Sequence, residues 1–142
     1  MKNRALNVSA ILALAALVAI PMAFAADLAV NIPFDFVVSN KTLPAGAYTV
    51  ECNRDGAPTV VLRSVDSKAA LIAVTAAVGG GKIVREGKLI FSRYGDTYFL
   101  AQVWRPGHRT GNALPQSRME REMASRTGAG ATTELALGPK TK

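Results

Sequence analysis

His108 and Cys52 are the only histidine and the only cysteine in this chain of 142 residues, and they are the first groups to test for acid–base, nucleophilic or metal chemistry. The stretch FSRYGDTYFLAQVWRPGH, residues 91–108, holds His108 together with Asp96, a carboxylate of the kind that orients a general base in a Ser-His-Asp arrangement. Asp96, however, follows Gly95 between two apolar runs, which is the pattern of a hairpin tip, and His108 lies in the turn-rich connector RPGHRTG. The chain has no Gly-x-Ser-x-Gly elbow and no run of paired carboxylates. One histidine and one cysteine cannot complete a conventional zinc set without relying on carboxylates. In AAVGGGKIV, Ala76 stands where a phosphate loop needs its first glycine and Ile83 where it needs serine or threonine, so Lys82 belongs to a flexible turn. Asn40-Lys41-Thr42 fits the N-glycosylation triplet, which has meaning only in a cell that glycosylates exported proteins. The expectation is a protein that is not an enzyme and has no metal and no cofactor.

The start of the chain fixes where those groups are expected to work. Lys2 and Arg4 precede an apolar run, VSAILALAALVAI over residues 8–20, which Pro21 ends before the small-x-small triplet Ala23-Phe24-Ala25. The run is shorter than the roughly 20 residues a membrane-spanning helix needs, so residues 1–25 read as a cleaved signal peptide and the mature chain begins near Ala26. The expected location is periplasmic or extracellular, with no membrane span after cleavage. The remaining length suits one domain with a modest core. A lone Cys52 cannot form an internal disulfide even in an oxidising compartment, and it shares an inward face with Tyr48 and Val50, where a small apolar residue fits.

Residues 26–114 read as an antiparallel β domain. In VNIPFDFVV, Val30, Ile32, Phe34, Phe36 and Val38 alternate with polar positions, as in a half-buried strand, and Pro33 and Asp35 suit a sheet edge. AYTVEC alternates next, with Tyr48, Val50 and Cys52 inward, and NRDGAP supplies a turn. TVVLRSV and AALIAVTAAV form a second hairpin across Asp66-Ser67-Lys68. The second arm, residues 69–78, is apolar on both faces, so it is either a covered central strand or a surface that meets a partner. Gly95-Asp96 closes the last hairpin, pairing Arg93 with Tyr98, Ser92 with Phe99 and Phe91 with Leu100, with the Arg93 guanidinium over the Tyr98 ring. A three-residue loop would instead gather Leu89, Phe91, Phe99, Ala101 and Val103 on one core face. The expected fold is mainly β, a six-stranded antiparallel sandwich or small barrel with a short C-terminal helix.

That helix is read over residues 115–126, an amphipathic segment packing Leu114, Met119 and Met123 on the sheet and laced by Arg118–Glu122 and Glu122–Arg126 pairs. Residues 127–142, small and polar, read as a mobile tail. The chain carries 17 basic and 10 acidic residues, a net charge of +7 that falls by two when Lys2 and Arg4 leave with the signal peptide. The surplus is spread rather than blocked, so nucleic acid is not an expected partner. Arg105, Arg109, Arg118, Arg121 and Arg126 form the locally basic stretch that could contact anionic envelope polymers, and another protein is the other expected partner class.

IPFDFVVSNKTLPAGAYTV, followed by LRSVDSKAA and FSRYGDTYFLAQVW, resembles a family of small exported bacterial β-proteins with no agreed activity, over Val30 to Arg126. The resemblance implies export and a β fold and assigns no chemistry. The functional expectation is an exported non-enzymatic β-domain, a structural or binding module of the cell envelope or extracellular space. Its alternative is a lipocalin-like carrier holding a small apolar ligand among Phe34, Phe36, Tyr48, Phe91 and Phe99.

Overall fold

A computed structural model describes residues 28–53, 58–66 and 68–139, so the signal peptide read over 1–25 lies outside the described residues. The fold is mainly β with one short C-terminal helix, as expected, but among the described residues it has eleven strands rather than six. They are β1 (Leu28–Ile32), β2 (Phe36–Val38), β3 (Lys41–Leu43), β4 (Gly46–Asn53), β5 (Thr59–Ser64), β6 (Ala70–Val74), β7 (Ala76–Gly79), β8 (Gly87–Tyr94), β9 (Thr97–Trp104), β10 (Thr110–Ala113) and β11 (Ala131–Pro139). The helix, α1, spans Arg118–Thr127. The strands form a curled open sheet in the order β3-β2-β9-β8-β11-β1-β4-β5-β6, with β10 joining β9 to β7.

The higher count has local causes. The run VNIPFDFVV is two strands, because Pro33 follows the last paired residue and the chain then changes neighbours: β1 pairs β4 and β11, whereas β2 runs parallel to β9 and antiparallel to β3. The expected sheet edge is therefore wrong for β1, which is internal. Pro33 is tolerated because its missing N–H falls beyond the ladder. AALIAVTAAV likewise divides at Thr75, with β6 on β5 and β7 on β10. Ser39 and Asn40, at φ of 48° and 66°, turn β2 tightly into β3.

The tail expected over 127–142 is overturned for residues 131–139, which form β11 between β8 and β1. In ATTELALGP, Leu137 is buried and Leu135 packs against the core, while Glu134 faces out to Lys88 at 3.4 Å. That alternation belongs to a half-buried strand, and its threonines and flanking glycines disguised it.

The β8–β9 hairpin has the two-residue turn, with Gly95 at φ of 61° and the pairs Arg93–Tyr98, Ser92–Phe99 and Phe91–Leu100. A bulge between Ile90 and Phe91 then shifts the register so that Leu89 meets Val103. Both faces of β9 are consequently covered. Leu100 and Val103 join the main core with Ile32, Phe36, Tyr48, Leu62, Leu89 and Phe91, while Phe99 joins Val37 and Tyr94 beneath the helix.

The helix meets that second cluster differently from expectation. Met123 and Ala124 pack on it, Met119 is 38% exposed, and Glu120 is the buried residue of the first turn. Ser117 caps the helix by accepting from the Glu120 N–H at 3.2 Å, and Asn40 Oδ1 accepts from the Met119 N–H at 3.2 Å. These two caps dock the helix start on the β2–β3 turn and rotate Met119 outward. Leu114 still reaches the main core, from the segment before the helix.

Candidate functional site

The aromatic residues that would line a carrier's interior meet one another instead. Phe36 lies edge-on to Tyr48 at 5.3 Å and to Phe91 at 5.7 Å between ring centroids, and all three are at most 1% exposed. Phe34 stands edge-on to Phe91 at 5.1 Å and stacks on Tyr98 at 3.7 Å, with the Arg93 guanidinium 5.5 Å from the same Tyr98 ring centroid. Phe99 does not join them, because it sits on the other face of β9 against Tyr94. Edge-to-face packing of this kind fills space and adds about 0.5–1.5 kcal/mol per pair beyond burial. The Tyr48 hydroxyl donates to the Pro44 carbonyl at 2.5 Å, and burial, with Asp66 and Asp35 adding their charge, pushes its phenol above the ordinary range.

The five arginines fall in two groups. Arg118, Arg121 and Arg126 lie on the helix, near the Tyr94 end of the sheet, whereas Arg105 and Arg109 follow β9 at its far end. Six residues of extended chain from Phe99 to Arg105 correspond to about 20 Å. Arg118 donates to Glu122 at 3.0 Å, and Arg121 donates to the Gln116 carbonyl at 3.4 Å. They do not make one basic surface.

His108 and Asp96 are also kept apart, by the whole of β9, a separation of about 26 Å for eight extended residues. Asp96 pairs instead with Arg93, at 3.8 Å in an exposed contact. The structure does bring His108 to Cys52: both line a cavity of about 240 Å³ at the far end of β9. Arg105 and Glu51 line it too, over an apolar floor that includes Leu28 and Val50. Among the described residues no three of His, Cys, Asp and Glu are placed to hold a metal ion.

Sequence reasoning missed one buried titratable pair. The Tyr94 hydroxyl donates to Glu120 Oε1 at 3.5 Å between the sheet and the helix, with Glu120 5% exposed. Burial pushes the Glu120 carboxyl above the usual carboxylate range, and the tyrosine bond draws it only part of the way back. Tyr94 is raised as well, first by burial and then by the glutamate's charge. The available signal was Ser117-x-x-Glu120, the pattern of a capping box.

The apolar arm at residues 69–78 proves to end the sheet rather than to sit at its centre: β6 is the last strand on its side, and Ile72 and Val74 point outward at 68% and 64% exposure. Among the described residues no helix is long and apolar enough to cross a membrane. Comparison with protein-family models, with curated proteins and with solved structures finds no match.

Proposed function

We propose that this chain is an exported, non-enzymatic β-module of the cell envelope or extracellular space that acts by binding at its surface. The observation that carries this reading over a lipocalin-like carrier is the contact of Phe36 with Tyr48 and Phe91, three rings at most 1% exposed where a carrier would hold its ligand. The signal-peptide pattern of residues 1–25 and the resemblance to small exported β-proteins support export. A protein partner has more support than an anionic polymer. Outward Ile72 and Val74 on a terminal strand suit another polypeptide, and the arginines are divided between two ends of the domain.

Titration of the mature protein with N-phenyl-1-naphthylamine, an apolar fluorophore, tests the filled interior. No saturable rise in emission is expected, and one-site saturation would replace this reading with the carrier. Export is tested separately by expressing the full chain in a bacterial host and weighing the product of the envelope fraction. An intact mass starting at Ala26 is expected, and retention of residues 1–25 in that fraction would overturn the signal-peptide reading.

A further inference from the structure

We infer that β6 pairs with the β6 of a second copy of this chain, antiparallel across a two-fold axis at Ile72. The inference rests on the reading of a surface that binds another polypeptide, and it names that polypeptide as the chain itself.

The backbone sets the edge. The Ser64 N–H donates to the Ala69 carbonyl at 2.8 Å and the Thr75 N–H to the Pro58 carbonyl at 2.9 Å, so residues 69, 71, 73 and 75 turn their polar groups toward β5. Ala70, Ile72 and Val74 therefore direct their N–H and C=O groups the other way, where among the described residues no strand pairs with β6. These three positions are symmetric about Ile72. An antiparallel copy centred there sets Ile72 against Ile72 and Ala70 against Val74, small against large, and each outward N–H meets a carbonyl of the other copy.

Side chains and charge fit the same pairing. Ala70, Ile72 and Val74 are all exposed, Ile72 at 68% and Val74 at 64%, and in a continued sheet they cover one another on one face. Residues 69–81 carry no charge in an otherwise basic chain. Arg63 lies beside Ala70 on β5, so the two copies of Arg63 fall at opposite ends of the seam and do not meet. Sheet edges are ordinarily guarded by shortness, charge or proline. The opposite end of the strand order is guarded in this way: β3 has three residues and an exposed Lys41, and the helix start is held on the turn before it. The β6 edge has five residues, no charge and no proline. Its seam is about 17 Å long and a sheet about 10 Å deep, so both copies together cover on the order of 350 Å². A permanent interface needs roughly 1,200 Å² or more, so the dimer is reversible, with a dissociation constant on the order of 1 mM.

A weak pair of fixed register is trapped by disulfide formation, tested in mature protein carrying Cys52→Ala and one new cysteine. The pairing places the two Ile72 Cα atoms about 5.5 Å apart, inside the roughly 4.4–6.8 Å that a disulfide spans. Under mild oxidation Ile72→Cys is expected to form covalent dimer at least tenfold faster than Val61→Cys, whose two copies lie roughly 14 Å apart. Ala70→Cys and Val74→Cys should each cross-link slowly alone and rapidly when mixed. Equal rates for Ile72→Cys and Val61→Cys, or a mixture no faster than its components, would overturn the pairing. A second measurement needs no cysteine: the sedimentation-average mass of the parent should rise with concentration up to about 1 mM, and that of folded Ile72→Lys should not. A constant parent mass, or the same rise in Ile72→Lys, likewise removes it. Such results strike self-pairing alone, because the surface-binding reading stands or falls on the dye titration, to which this edge is invisible.

Discussion

The side-chain amide of Asn112 in β10 donates to the Thr75 hydroxyl at 2.9 Å, with both residues buried where the chain passes from β6, paired with β5, to β7, paired with β10. The hydroxyl in turn donates to the Pro58 carbonyl at 3.2 Å, and the Thr75 N–H reaches the same oxygen at 2.9 Å. Thr75→Val leaves the Asn112 amide buried without its acceptor, and Asn112→Ala removes the donor. Each substitution is expected to cost about 1–3 kcal/mol in urea denaturation. Their double mutant should cost clearly less than the sum, since the two remove one shared bond. Strict additivity would show that the bond contributes nothing.

Glu120 makes stability depend on pH. Its folded-state pKa is raised, so the protonated acid is the form the fold prefers. Its contribution is complete below the ordinary carboxylate value and is lost as pH rises through the raised value. Glu120→Gln cannot titrate, so the stability difference between variant and parent should move in the variant's favour from pH 4 to pH 7. A difference independent of pH would mean that this carboxyl titrates alike in the folded and unfolded chains.

Gly111 lies against the single tryptophan, and a Cβ there would stand 2.7, 2.8 and 3.0 Å from three atoms of the Trp104 indole. That is closer than real side chains approach, so Gly111→Ala must displace the ring, at a cost of about 1–3 kcal/mol. The Trp104 emission maximum is expected to move to longer wavelength as the 7%-exposed ring is pushed outward. Identical spectra for variant and parent would contradict the contact.

Leu137 and Glu134 lie on opposite faces of β11, so their substitutions should separate. Leu137→Ala is expected to cost about 2–5 kcal/mol, whereas Glu134→Gln loses only an exposed pair with Lys88 worth about 0.2–1 kcal/mol. Similar denaturation midpoints for the two would place residues 131–139 outside the sheet.

Local chemistry was readable and remote partnership was not. Gly95-Asp96 prescribes its own turn and register, because both strands of that hairpin lie within a few residues of it. The same reasoning put β1 at an edge, since Pro33 and Asp35 are edge residues by composition; nothing near them announces that β11 arrives from a hundred residues away. Met119 was assigned inward on spacing alone, and the caps from Ser117 and Asn40 chose Glu120 instead. The cavity at Arg105 escaped for the same reason, as its walls come from three separate stretches of chain.

The placement of β11 also governs the order in which the molecule can be assembled. Leu28 pairs with Pro139, so the described chain begins and closes on adjacent rungs, and β8 and β1 have no common neighbour until β11 fills the gap. A chain emerging from the ribosome can form its hairpins early, but the two halves of the sheet stay unjoined until the last strand is delivered. The sheet is thus held open between β8 and β1 until residues 131–139 have been made. The adjacency of Leu28 and Pro139 equally makes them a natural pair to splice, with new termini opened at an exposed turn such as Gly95-Asp96.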